Sequence, residues 1–253
     1  MLKITPIPAF TDNYIWAISH NHQLIVVDPG ASAPVQRYLQ DKQMQLSGIL
    51  VTHWHPDHTG GIAELVRQYA VPVYGPQSEH IPDVTQVLAD GDTIEVLDIQ
   101  LQVLAVPGHT LDHLAYYSEE AESLFCGDTL FAAGCGRVFE GTAAMMLSSL
   151  EKLAKLPERT FIYCAHEYTL SNLRFALEVE PDNQALQQRL IDCEKLRAEG
   201  KVSLPSTLNE ELMTNPFLRV QEESVITQAL NQGAHSASAV DVFSCLREWK
   251  NHF

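Results

Sequence analysis

The chain has no apolar run of the length that crosses a bilayer. Positive charge is scarce: 16 Lys and Arg stand against 32 Asp and Glu, a formal net charge of −16. Nucleic acid and anionic membrane both require a basic surface, so neither is expected as a partner. Cysteine is sparse too, with Cys126, Cys135, Cys164, Cys193 and Cys245 scattered and no C-x-x-C pair among them. An odd, dispersed set argues against a disulfide framework and against a thiolate zinc site; reduced, packed thiols are expected instead. Residues 1–16 hold one Lys, a Pro-bearing start and no long apolar stretch, so no secretion signal is read there. The cytosol is the expected compartment.

What is present is a 45% hydrophobic chain of 253 residues, enough for one large core or a core with a satellite domain. Up to about residue 166, short apolar runs alternate with helical patterns. The runs are 15–18, 24–27, 48–52, 101–106, 124–126 and 160–164, each bounded by Gly, Pro, Asp or Ser. Helical spacing fills 33–41, 61–69 and 142–156, which gives an α/β class. Past His166 the character changes. Leu170, Leu173 and Leu177 recur at helical spacing, and a second helix opens at Pro181-Asp182, carries Leu186, Leu190, Cys193 and Leu196, and stops near Gly200. A loop with Pro205 and Pro216 follows, then helical patterns over 222–230 and 238–250. The predicted organisation is a domain of residues 1–167 and a helical domain of residues 168–253.

The richest segment is Thr52-His53-Trp54-His55-Pro56-Asp57-His58, directly after an apolar run. Side chains alternate along a strand, so His53 and His55 can point the same way; Asp57 and His58 join them only if the chain has turned. An isolated His near a strand end is usually solvated. Three imidazoles and a carboxylate within six residues suit zinc or another first-row divalent ion. His109, Asp128 and His166 each follow another apolar run, at the strand ends where ligands gather in α/β folds. Seven ligands exceed what one tetrahedral ion takes, so two ions are expected: His53, His55 and His109 on the first, Asp57, His58 and His166 on the second, Asp128 bridging. Asp28, in Val27-Asp28-Pro29-Gly30, either orients a ligand histidine or is simply a turn residue. His20, His22, His80, His235 and His252 read as surface residues, and His113 either supports a ligand or merely packs.

The pattern T-H-x-H-x-D-H, with P-G-H-T at 107–110, G-D-T at 127–129 and a later His, resembles the metallo-β-lactamase superfamily. That resemblance implies an αββα sandwich with the metals at one edge and an all-helical domain after it. Gly134-Cys135-Gly136-Arg137, Ala165-His166-Glu167-Tyr168-Thr169, Leu204-Pro205-Ser206-Thr207-Leu208, Asn215-Pro216-Phe217-Leu218-Arg219 and the opening Pro8-Ala9-Phe10-Thr11-Asp12-Asn13-Tyr14 resemble, within it, the glyoxalase II family of hydroxyacylglutathione hydrolases. The resemblance implies a monomeric enzyme that hydrolyses S-D-lactoylglutathione and similar thioesters, the second step of methylglyoxal detoxification. Hydroxide between two ions, zinc foremost and iron or manganese as alternatives, is the implied nucleophile, with Asp57 and Asp128 serving it. Arg137, Tyr168, Arg247 and Lys250 match the family's glutathione-binding positions. Phe139 stands where a Tyr is common, and Asp112 where a Gly is. The glutathione part carries two carboxylates, and Arg137, Arg247 and Lys250 are the cations that an acidic chain can offer it. Rival activities on the same scaffold are lactonase, phosphodiesterase, β-lactamase and sulfur dioxygenase; a binding protein without turnover is the rival of another class.

Overall fold

The first apolar runs assemble into a six-stranded mixed sheet in the order β1 (Lys3–Ala9), β2 (Asn13–His20), β3 (Gln23–Val27), β4 (Gln45–Leu50), β5 (Val73–Pro76), β6 (Gln86–Leu88). The first three pair antiparallel and the rest parallel. The parallel neighbours β3–β4 and β4–β5 need crossovers, supplied by α1 (Ser32–Lys42) and by the pair α2 (Pro56–Thr59) and α3 (Ile62–Tyr69). Val35 and Leu39 of α1 and Ile62 and Leu65 of α3 share one buried cluster with Ile15, Ala17, Leu24, Val26, Ile49 and Val51. Strand β1 contains Pro6 and Pro8 and lies at the sheet's edge, where a missing N–H breaks no ladder. A second antiparallel array follows, β7 (Thr93–Val96), β8 (Ile99–Ala105), β9 (Leu114–Ser118) and β10 (Ser123–Gly127). Tyr116 of β9, wholly buried, gives its hydroxyl to the carbonyl of Val51 at 2.5 Å and so ties the second array to the first.

The computed structural model describes residues 2–253. These divide into two units: one runs up to Val106 and takes in Asp112–Gly127, the other is Pro107–Leu111 with Asp128–Phe253. The second unit holds a small hairpin, β11 (Leu130–Phe131) with β12 (Gly134–Cys135), then α4 (Ala143–Leu153) and β13 (Phe161–Cys164), which pairs with β14 (Ser206–Thr207). Its helices continue as α5 (Thr169–Val179), α6 (Gln184–Ala198), α7 (Leu208–Thr214), α8 (Glu223–Asn231) and α9 (Ala239–His252). Asn183, Thr207 and Ser238 cap α6, α7 and α9 through side-chain oxygens. Leu173, Leu186 and Cys193 bury together as the spacing predicts, with Ala176 beside them, whereas Leu196 falls off that face and is 38% exposed. Helix α7 occupies the stretch between Pro205 and Pro216 that reads as loop from sequence. None of the described helices is long and apolar enough to cross a membrane.

Candidate active site

In the first unit the centre is Asp28, just past β3. Its backbone sits in the left-handed region at φ 55°, which Asp tolerates better than most residues. The carboxylate accepts from the Thr52 N–H at 2.7 Å, the Thr52 hydroxyl at 2.7 Å and Nδ1 of His58 at 3.0 Å. Because the Thr52 hydroxyl gives its proton to Asp28, it receives from Nδ1 of His53 at 3.0 Å. Both imidazoles thereby carry their proton on Nδ1 and leave the Nε2 lone pair for a ligand. Nε2 of His53 stands 3.0 Å from Nδ1 of His55. Asp57 and His58 are on α2, so the chain has indeed turned, with Pro56 starting that turn. Asn13 donates to Oδ2 of Asp57 at 2.9 Å, and the same oxygen lies 3.5 Å from Nε2 of His58. The approach is tight: a Cβ on Gly30 would fall 1.8 Å from the Asp57 carbonyl oxygen. His113 is buried and stacks on His53, ring centroids 4.5 Å apart, with Nδ1 on the carbonyl of Leu114.

In the second unit the carboxylate of Asp128, 7% exposed, faces an imidazole with each oxygen. Oδ2 is 3.4 Å from Nε2 of His109 and Oδ1 is 3.4 Å from Nε2 of His166. Nδ1 of His109 donates to the carbonyl of Arg137 at 2.8 Å, which again directs the Nε2 lone pair towards the carboxylate. These donors, imidazole nitrogen and carboxylate oxygen with ring protons directed away, fit borderline divalent cations. The fit rests on this donor chemistry in each unit separately.

His109 and Asp128 lie in the wall of a cleft of about 530 Å³ that also takes in Arg137, Phe139, Tyr168, Arg247 and Lys250. Tyr168 stacks on His166 at 4.7 Å, and Phe139 sets its ring edgewise to His109 at 5.3 Å. Arg137 is exposed. Arg247 is buried, with Nη1 on the Cys135 carbonyl at 2.7 Å and its guanidinium 5.1 Å over the Phe217 ring. Lys250 is half-buried; burial first, then Arg247 and Arg137, lower its pKa to about 8. Three cations near one another, one pushed towards losing its proton, make a place for an anion. A larger cavity, about 720 Å³, lies around the Glu180–Arg219 ion pair and contains none of the residues singled out for chemistry.

Thr52 and Asn13 escaped the sequence reading as functional residues, although both stand in segments quoted above. The remaining histidines behave as surface groups: His22, His80, His235 and His252 are exposed, and half-buried His20 pairs with Asp98. Asp112 is half-buried. The five cysteines form no disulfide; four are buried and Cys245 is half-buried.

Two family models match successive parts of the sequence. A family model for the metallo-β-lactamase superfamily matches residues 9–166, and one for the hydroxyacylglutathione hydrolase C-terminus matches residues 167–253. A hydroxyacylglutathione hydrolase of Hahella chejuensis is 51% identical over 257 residues, and one of Aliivibrio salmonicida is 52% identical over 255; each alignment covers all of both chains. Among solved structures, ETHE1 from Myxococcus xanthus shares the fold with a TM-score of 0.66 at 23% identity, over 99% of each chain.

Proposed function

Since the chain belongs to the metallo-β-lactamase superfamily and, within it, to the hydroxyacylglutathione hydrolases, we propose that it cleaves its substrate at a pair of divalent cations held by seven side chains. It is an enzyme, a hydrolase of the hydroxyacylglutathione thioester, built on a metallo-β-lactamase domain with divalent-metal ligands. We assign His53, His55 and His109 to one ion, Asp57, His58 and His166 to the other, and Asp128 to both. Zinc is the ion we favour, with iron or manganese as substitutes. Residues 1–167 would carry the metal chemistry and residues 168–253 the glutathione binding.

Cations bound there would supply a water of much lowered pKa, hence a hydroxide near neutral pH, and would polarise the thioester carbonyl. The protein's own groups do the rest. Asp28 and the Arg137 carbonyl fix the tautomers of His58 and His109, Asn13 aims Asp57, and Asp57 orients the nucleophile while it serves as a ligand. Arg137 and Lys250 receive substrate carboxylates, Arg247 backs them from its buried place, and Tyr168 and Phe139 line the way to Asp128. The leaving thiol has an ordinary pKa of about 8.5, so no dedicated general acid is needed. S-D-lactoylglutathione is the substrate we assign, which places the enzyme second in methylglyoxal detoxification. The chain would act as a cytoplasmic monomer; reduced cysteines support that compartment.

The observation that carries this reading is Asp128, with one oxygen towards each of two imidazoles in the wall of a cleft that also holds cations. The test is thiol release from S-D-lactoylglutathione by protein analysed for metal, where two ions per chain are expected. Asp128→Ala should lose both metal and turnover; full turnover in that variant ends the proposal. Faster cleavage of a lactone or phosphodiester would redirect the substrate assignment, and one ion per chain would favour a dioxygenase.

A further inference from the structure

The segment Asn215-Pro216-Phe217-Leu218-Arg219 has no part in the chemistry above, yet Asn215 buries its amide completely. Nδ2 faces three acceptors: the carbonyls of Phe131 at 3.2 Å and Gly134 at 2.9 Å, and Oε2 of Glu211 at 3.0 Å. Oδ1 accepts from the Phe217 N–H at 3.1 Å, which fixes the direction of the amide. Glu211, equally buried, takes the Ala133 N–H at 2.7 Å, and Arg189 neutralises it from 2.6 Å. Asn172 of α5 donates to the Ala132 carbonyl at 3.0 Å and Arg247 of α9 to that of Cys135. Each residue from Phe131 to Cys135 therefore gives one backbone group to a side chain of the helical segment.

So short a hairpin needs such holding. Two residue pairs close it, and Ala133 in its turn lies at φ 55°, a conformation unfavourable for a residue with a Cβ. Both ends lead to the metal ligands. Asp128 lies two residues before Leu130. Beyond Cys135, the Gly136 N–H returns to the Thr129 carbonyl at 3.2 Å, and a Cβ on Gly136 would fall 1.9 Å from the Asp128 carbonyl oxygen. The next carbonyl, that of Arg137, holds the His109 ring. A displaced hairpin moves Asp128 and His109 together.

We propose that Asn215, backed by Glu211, is a positioning residue that sets the hairpin and, through it, the carboxylate of Asp128 and the ring of His109. The inference rests on reading those two as metal ligands. Loss of the amide should weaken metal retention and turnover number, not substrate affinity.

The experiment compares wild type with Asn215→Leu, which keeps the bulk and removes the donors, and with Asn172→Ala, a milder change at the hairpin's tip. Folding is checked by circular dichroism and Tm, metal retention by chelator competition, and turnover by kcat and KM for the thioester. Loss of a partner behind a metal ligand costs about 10–100-fold in affinity or activity. Folded Asn215→Leu should show a shift of about that size in chelator midpoint and kcat, with KM within about threefold. If that variant does not fold, Asn172→Ala carries the test, with a smaller shift in the same direction. A lower Tm with an unmoved chelator midpoint and kcat in a folded variant overturns the proposal. A wild type that takes up no metal overturns the metal reading itself, and this inference with it.

Discussion

Nδ1 of His58 donates to Oδ2 of Asp28 across 3.0 Å, joining the turn after β3 to the helical turn after β4. The same carboxylate serves both the backbone and the hydroxyl of Thr52, so one buried Asp directs His58 itself and His53 through Thr52. Asp28→Ala leaves three buried donors without an acceptor, each costing about 1–3 kcal/mol. The metal-free protein should lose at least about 3 kcal/mol in urea unfolding, and metal affinity should fall about 10–100-fold. Urea unfolding and chelator competition check the two parts separately. Unchanged metal affinity would return Asp28 to the status of a turn residue.

Arg247 and Lys250, three apart on α9, should respond differently to truncation. Arg247 is 7% exposed, holds the Cys135 carbonyl and covers Phe217. Lys250 is half-buried, donates to the Ser171 carbonyl at 3.3 Å and lies 5.3 Å over the rings of Phe175 and Phe253. Arg247→Ala should cost about 1.5–3 kcal/mol, the range for a hydrogen bond from a charged group, and should also raise KM. Lys250→Ala should raise KM with stability changed by less than about 1 kcal/mol. Urea titration alongside steady-state kinetics separates them; equal loss of stability in both variants would contradict the assignment.

The candidate ligand string was legible because His53, His55, Asp57 and His58 follow an apolar run that ends at Val51. Polar residues of that kind at a buried strand's end have few other uses. Asp28 was ambiguous, since Asp-Pro-Gly encodes a turn equally well, and the residue does adopt a turn conformation. Thr52 and Asn13 carried no signal of their own: their roles depend on partners that a one-dimensional pattern does not display. Strand β1 was hidden by Pro6 and Pro8, which an edge strand tolerates. Helix α7 did announce itself through Thr207-Leu208-Asn209-Glu210, a Ser/Thr-x-x-Glu start, and Thr207 accepts from the Glu210 N–H at 3.3 Å; the prolines on either side made the stretch read as loop. Contacts such as Asn215 with the hairpin, 81 and 84 residues away, leave no periodic trace in the sequence.

The lowered pKa of Lys250 gives the last prediction, and its sign follows from which state holds the proton. Burial, then Arg247 and Arg137, bring the folded value to about 8 from an ordinary 10.5. Below about pH 8 the ammonium is charged in folded and unfolded chains alike, at a cost to the fold. Between about 8 and 10.5 the unfolded chain keeps a proton that the folded chain has shed, so this group's contribution to stability becomes more favourable as pH rises. Binding runs the other way, because an anionic substrate needs the charge. KM should therefore rise as pH passes about 8, and binding above that pH should draw a proton onto Lys250. Lys250→Arg keeps its charge throughout and should lack that rise; Lys250→Met should show a high KM at every pH. The profiles are read between about pH 6.5 and 9.5, with uncatalysed thioester hydrolysis subtracted. If wild type and Lys250→Arg give parallel curves, another group governs the pH dependence and Lys250 does not receive the substrate's charge.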